Sequence, residues 1–304
     1  MGASSCPAPA GSAAAAVLEY VRTRTAALRE QEPLVRLDRE DAVHQMRVAV
    51  RRLRSALRVY GRVLDRERTR DLGAELKWLA GELAPARDTE VVHARLSALL
   101  DEVAEELAAD VMAVGLVPPT LRADLDAVFA GRADTARTRA LGALDSSRYR
   151  ALLAALDAVV ADPPLGRRGL HKARRVLPEE LARVQRRVAR AMTTALDTSP
   201  GVARDEALHE ARKAAKRLRY AREAARPALG KPRRRWKRGM TALQDLLGAH
   251  QDTVVMRATV LDLATDPRVG GFALGVVHGT EAVRARDAER ELPAAWARVD
   301  RGSR

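Results

Sequence analysis

Aromatic residues are almost missing from this chain: Phe, Tyr and Trp together make up 3% of its 304 residues. That scarcity, with no alternating run of β-branched residues, argues against a sheet-based fold. A single cysteine, Cys6, excludes a disulfide framework within the chain and fits a reducing compartment. No apolar run approaches the length of a membrane span. Residues 1–16 lack the basic start and apolar stretch of a secretory leader. Lipidation after Met-Gly needs Ser or Thr where Cys6 stands. These absences predict a soluble, cytoplasmic protein with no membrane partner. Catalytic signatures are missing as well: there is no Gly-rich phosphate loop, paired-carboxylate metal site or nucleophile motif. The sequence therefore predicts no catalytic residue, no metal ligand and no cofactor. His93, His171, His250 and His278 have no setting that suggests a metal cluster and read as structural.

What is present is helix-forming. Hydrophobic residues reach 47%, mostly Ala, Leu and Val, alongside many Arg and Glu. The fold class is all-α, and the length is enough to bury a core without staples. Proline and acid positions divide the chain into helical stretches. They run from Val17 to Pro33, from Asp38–Asp41 to about Leu64, from Thr69 to Leu83 before Pro85, and onward from Asp88. Pro118 and Pro119 interrupt the pattern, which resumes over 121–144 and 147–160. The stretch Asp162-Pro163-Pro164-Leu165-Gly166 reads as a midpoint linker. Helices are then expected over 178–196, 204–229, 233–247, 252–263 and 272–299. Residues 1–16 form an expected disordered N-terminal segment. The domain spans 17–299, with halves at about 17–160 and 170–299.

An internal repeat organises the chain. VHQMRVAVRRLRSALRVYGRVL (43–64) and LHEARKAAKRLRYAREAARPAL (208–229) share eight identities over 22 positions at a constant offset of 165. The matches pair His44 with His209, Arg47 with Arg212, Arg52 with Arg217, and Arg54 with Arg219. A shorter match follows each copy: LKWLAGELAPARDTEVV (76–92) and LQDLLGAHQDTVV (243–255) share Leu-x-x-Leu-x-Gly and then Asp-Thr. Two related helical halves around an approximate two-fold axis are expected.

The net charge is +14, from 54 Lys and Arg against 40 Asp and Glu, and it is not scattered. On a helical wheel His44, Arg47, Arg51, Arg54 and Arg58 fall within an arc of roughly 80°, along a stripe of about 21 Å. Residues 44–62 hold six arginines and no acid. Like charges one turn apart destabilise a helix, so the missing counter-charge points to an external anion. The second copy places His209, Arg212, Lys213, Lys216 and Arg219 on one arc. Glu223 stands where the first copy has Arg58, which shortens this stripe and makes the first copy the stronger grip. Arg52 and Arg217 fall to one side, while Leu53, Leu57 and Leu218 face inward. Guanidinium groups bind two phosphate oxygens at once, and a histidine gains charge beside an anion. Arg183, Arg186, Arg187 and Arg190 form another helical stripe, and Lys231–Arg238 is a further basic run. Either is more often solvated surface than site.

The segments VHQMRVAVRRLRSAL and LHEARKAAKRLRYA, each followed by its Leu-Gly and Asp-Thr element, resemble the CHAD family, the conserved histidine α-helical domains. The resemblance covers about residues 17–299. It implies two four-helix-bundle halves with a basic central channel, binding of inorganic polyphosphate, and association with polyphosphate granules or polyphosphate-metabolising proteins. By motif match the binding residues would be His44, Arg47, Arg51, Arg54 and Arg58, with His209, Arg212, Lys213, Lys216 and Arg219. The Glu-x-Glu-x-Lys signature of the triphosphate-tunnel module often fused to this family is absent: Pro293 stands where its lysine would follow Glu289 and Glu291. The expected protein is a stand-alone, non-catalytic binding domain. Binding to a nucleic-acid phosphate backbone is the alternative, weakened by the dearth of aromatic platforms on which bases stack. Polyphosphate hydrolysis or synthesis is a third reading, for which nothing in the sequence marks a base or a metal.

Overall fold

The computed structural model describes residues 8–108, 119–266, 269 and 271–303. Cys6, the start of the expected disordered segment and Pro118 lie outside the described residues. Among the described residues the regular elements are ten helices. They are α1 (Ala13–Arg36), α2 (Ala42–Val59), α3 (Arg70–Glu82), α4 (Ala84–Ala108), α5 (Leu121–Asp145), α6 (Ser147–Ala161), α7 (Ala173–Asp197), α8 (Val202–Leu229), α9 (Arg234–Leu263) and α10 (Gly271–Ser303). The all-α expectation holds.

Helix ends differ from the expected ones for local reasons. α1 starts four residues before Val17, inside the segment expected to be disordered. The Ser12 side chain accepts from the Ala15 N–H at 3.1 Å, and Ala13 and Ala14 are fully buried. Pro33 does not end α1, which runs three residues further. Pro178, Pro227 and Pro293 likewise lie inside helices. α9 continues unbroken through 248–251, where two helices were expected, and its Gln244, His250 and Thr253 are buried. α2 starts late because Asp38 and Asp41 adopt left-handed backbone, with φ of 54° and 61°. Aspartate tolerates that region better than most residues.

Contacts divide the chain into two compact units, each built from three segments. Unit 1 comprises Met1–Arg87, Ala136–Arg190 and Ala214–Lys231; unit 2 comprises Asp88–Thr135, Ala191–Lys213 and Pro232–Arg304. These units do not coincide with the two halves of the sequence: α4, α5, α7 and α8 each pass from one to the other. In unit 1, α1 packs on α2 and α6, and α3 packs on α2 and α6. In unit 2, α9 packs along α10. The unit 2 core gathers Leu96, Leu99, Leu125, Phe129, Met256, Val260, Leu274 and Val277, among others.

Residues 162–166, expected to be a midpoint linker, are stitched into unit 1. The Asp65 N–H donates to the Pro164 carbonyl at 2.6 Å, and the Gly166 N–H to that of Val63 at 2.8 Å. The Arg168 N–H donates to the Arg62 carbonyl at 3.1 Å. Further on, the Ala14 N–H reaches the Gly169 carbonyl at 2.9 Å, and the Ala13 N–H that of His171 at 2.8 Å. The α6–α7 loop thus clamps both the start of α1 and the turn after α2. Glycine is required here by proximity: a Cβ on Gly166 would lie 2.6 Å from the Arg62 carbonyl oxygen, and one on Gly169 2.6 Å from that of Val63. Gly166→Ala is therefore expected to lower stability by about 2 kcal/mol. Gly131→Ala, in an α5 position where a Cβ meets nothing within 4 Å, should raise it by about 0.5 kcal/mol. Urea unfolding followed by circular dichroism measures both.

Candidate functional site

The first copy of the repeat forms α2. Its inner side is Met46, Ala49, Val50, Leu53, Ala56 and Leu57, each no more than 4% exposed. The opposite face carries half-buried His44, Arg47, Arg51 and Arg54, and exposed Arg58. Arg47 spends a donor on the Ala84 carbonyl at 3.2 Å, where α3 gives way to α4. Arg51, Arg54 and Arg58 have no hydrogen-bond or ion-pair partner among the described residues. Burial pulls the Arg54 guanidinium below its ordinary range, and Arg58 beside it adds repulsion.

His44 sits one turn into this field. Burial holds its pKa below the ordinary value; Asp41 opposes this, while Arg87, Arg47 and Arg51 push it further down. The imidazole is therefore neutral at pH 7 in the free protein. A histidine whose charged form is disfavoured by the fold binds fewer protons folded than unfolded. Its contribution to stability is thus lost as pH falls below the ordinary histidine range.

The second copy, on α8, is more fully engaged within the protein. His209 donates from Nδ1 to the Gln251 Oε1 on α9, which leaves Nε2 as its second ring nitrogen. The Arg212 guanidinium lies over Gly248 of α9, 3.9 Å from where a Cβ would stand. Lys213 pairs with Glu210. Arg219 lies over the Tyr220 ring at 5.1 Å, and Lys216 is half-buried. His209, Arg212 and Lys213 belong to unit 2, Lys216 and Arg219 to unit 1.

Within unit 1 the repeated helices are neighbours. The Tyr60 hydroxyl, at the end of α2, donates to the Ala221 carbonyl of α8 at 2.6 Å. Glu223 does more than shorten the second stripe: its carboxylate lies 3.2 Å from the Arg52 Nε and 3.8 Å from the Arg24 Nη1. Arg52 also lies 5.9 Å from the Tyr220 ring centre. Arg52, which the helical wheel sets to one side of the stripe, is therefore a packing element with its own counter-ion.

Of the α7 arginines, Arg183 and Arg187 join Arg58, Arg62 and Arg66 around a cleft of about 290 Å³. Arg186 and Arg190 are exposed and do not line it. Nor does any residue of the 231–238 run, whose Trp236 is buried at the start of α9. Burial pulls the Arg183 pKa down; Glu180, 3.2 Å away, opposes this, and Arg62, Arg187 and Arg168 add to the fall. Arg62 and Arg66 escape a helical wheel because they follow the end of α2, in a turn the α6–α7 loop holds in place.

In unit 2, His250 is 1% exposed, with Nε2 3.3 Å from Asp205 and 3.4 Å from Glu289. The three could in principle ligate a cation. However, Arg257 pairs with Asp205 at 3.2 Å and Arg204 with Glu289 at 3.1 Å. The two carboxylates are already balanced by two guanidinium groups, so a divalent cation would add unbalanced charge. This arrangement reads as an ion network joining α8, α9 and α10.

Residues 19–261 match the family model described as the CHAD domain. The chain belongs to the CHAD family. It is 36% identical over 273 residues to uncharacterized proteins from two strains of Mycobacterium tuberculosis. That alignment takes in 89% of this chain but spans about half the length of those relatives, 50% in each case. Among solved structures, the CHAD domain from the plant Ricinus communis is 26% identical with a TM-score of 0.67, covering 98% of this chain and 97% of that one. PptA from Streptomyces chartreusis is 21% identical with a TM-score of 0.76, covering 94% and 99%, and shares the fold. No helix among the described residues is long and apolar enough to cross a membrane.

Glu223→Gln tests the inner counter-ion of this CHAD domain. Removing charge from a half-buried carboxylate shared by Arg24 and Arg52 is expected to cost about 1–2 kcal/mol, read as a lower urea midpoint with unchanged slope.

Proposed function

We propose that this CHAD domain binds inorganic polyphosphate without transforming it. Family membership supports a role connected with polyphosphate; binding as such is our reading. The observation that carries it is the α2 face. Arg51, Arg54 and Arg58 lie on one arc, half-buried to exposed, with no partner among the described residues. A linear anion with a charge on every repeat unit matches a linear array of forked donors. The second stripe, with His209 tied to Gln251 and Lys213 to Glu210, contributes less than the first. In this reading the binding set is His44, Arg47, Arg51, Arg54 and Arg58, joined by His209, Arg212, Lys213, Lys216 and Arg219. A basic channel between repeated halves and residence at cytoplasmic polyphosphate granules belong to the same proposal. Nucleic acid fits less well, because Tyr20, Tyr60, Phe129, Tyr149, Tyr220 and Trp236, six of the nine aromatics, are buried and offer bases no platform.

Calorimetric titration with long-chain polyphosphate tests the proposal. Binding is expected to be far tighter than to orthophosphate and to weaken with salt. Arg51→Ala with Arg58→Ala should lose at least about tenfold in affinity. The pair should also flatten the log–log salt dependence by roughly 1.5. Equal affinity for orthophosphate, or stronger binding to DNA than to polyphosphate at physiological salt, would overturn the reading.

The pH dependence follows from His44. An anion on the stripe offsets the Arg47 and Arg51 field and favours the imidazolium, so binding takes up a proton. Affinity should therefore rise as pH falls through about 6.5 and below, and His44→Gln should diminish that rise. Titration at several pH values, with the histidine signals followed by NMR, checks both.

A further inference from the structure

The cationic surface of unit 1 does not stop where α2 stops. After Tyr60 the chain turns through Gly61–Thr69 and presents Arg62 and Arg66; facing them, α7 presents Arg183 and Arg187 one helical turn apart. With Arg58 these side chains line the cleft of about 290 Å³, together with Val59, Gly61 and Val184. Arg58 and Arg66 also line an adjoining cleft of about 210 Å³ with Arg54 and Arg70. Neither lining contains an acid. Arg183 is held by Glu180 and Arg70 by Glu67, but the guanidinium groups of Arg62, Arg66 and Arg187 have no partner among the described residues.

Several arginines elsewhere on unit 1 are paired with acids. Arg29 pairs with Asp157, Arg36 with Glu32 and Asp145, Arg137 with Asp38, Arg139 with Glu82, and Arg148 with Glu75. In this cleft the guanidinium groups of Arg62, Arg66 and Arg187 converge with no acid in the lining, and the turn that carries two of them is held from behind. The turn bearing Arg62 and Arg66 is bonded to Pro164, Gly166 and Arg168 of the α6–α7 loop. The backbone that carries Arg62 and Arg66 is therefore fixed before any ligand arrives, which lowers part of the ordering cost of binding. Donors converge on the concavity from α2, the turn and α7. That geometry suits several tetrahedral groups gathered close together better than one isolated phosphate.

We infer that this arginine cleft, which shares Arg58 with the α2 stripe and extends it past the helix end, is an anchoring subsite for a short run of linked phosphates. The inference rests on the polyphosphate reading above and adds where the chain is held most tightly. A free tripolyphosphate and a segment of a long chain present the same chemistry to the cleft.

The test is calorimetric titration of the full chain with tripolyphosphate, orthophosphate and long-chain polyphosphate. Arg62→Ala with Arg187→Ala removes two cleft guanidinium groups that are exposed and have no partner among the described residues. Arg29→Ala with Arg137→Ala removes the same charge from paired positions elsewhere on the unit. Circular dichroism and thermal unfolding confirm that each variant folds. The cleft pair is expected to lose at least about tenfold in tripolyphosphate affinity. The control pair should stay within about twofold, as exposed pairs contribute little. Competition between tripolyphosphate and the long chain on the wild type tells whether both sources use the cleft. Equal losses in the two variants would mean diffuse charge and overturn the subsite, as would unchanged affinity in the cleft pair. If the wild type fails to bind long chains yet binds tripolyphosphate through Arg62 and Arg187, the polyphosphate reading fails and the cleft stands.

Discussion

Mutual repulsion among guanidinium groups is the constraint on which this structure turns. α2 brings Arg47, Arg51, Arg54 and Arg58 onto one face, and the fold must hold these like charges together. What offsets the repulsion is the other side of the same helix. Each fully buried Leu, Val or Met contributes about 1.5–3 kcal/mol, while each like-charge pair one turn apart costs only a few tenths. Met46, Val50, Leu53 and Leu57 are at most 4% exposed, so burial wins by a wide margin. The Tyr60–Ala221 bond then fixes the end of α2 against α8. A charged face can be kept open because an apolar one is tightly closed.

Counter-charge is distributed with the same logic. Glu223 sits beneath the face and serves Arg24 and Arg52, so it steadies the helix pair without quenching the outer arginines. In unit 2, Glu281 is fully buried against Arg95 and Arg284, and Asp205 and Glu289 bracket His250. Such networks contribute less to net stability than to a unique arrangement, since desolvation opposes their attraction. Many acids among the described residues hold helices together or pair surface arginines. Where α2, its following turn and α7 meet, the cleft lining holds five arginines and no acid.

The sequence made the helical class, the α2 face and the inward Leu53, Leu57 and Leu218 legible, because all three follow from a 3.6-residue period that packing reinforces. Other features depend on what is brought near from afar. Ala13–Ala16 look like a featureless tail until the backbone of Gly169 and His171 bonds to their N–H groups. Asp162–Gly166 carry the composition of a hinge, yet they are a clamp, because glycine there admits a neighbouring carbonyl. Glu223 looked like a lost arginine because its partners, Arg24 and Arg52, are remote in the chain. Arg62 and Arg66 lie in a turn, where no periodicity assigns a face. Arg183 and Arg187 show a helical stripe, but only the fold says that α7 stands beside the end of α2.

The interleaving of the two units bears on how the chain is made. Unit 1 draws on residues 1–87, 136–190 and 214–231, and unit 2 on three segments reaching to 304. During synthesis, neither unit can close when half of the chain has emerged. α1, α2 and α3 must wait for Tyr220, Ala221 and Glu223, and the helices of unit 2 wait longer still for α10. Until then the apolar side of α2 has lost only part of its exposure to water, and a basic helix stands open to whatever anions surround the nascent chain. Contacts of such long sequence separation slow folding and prolong the life of partly folded forms. The protein's birth, on this view, resembles the tying of a knot whose last strand tightens the first.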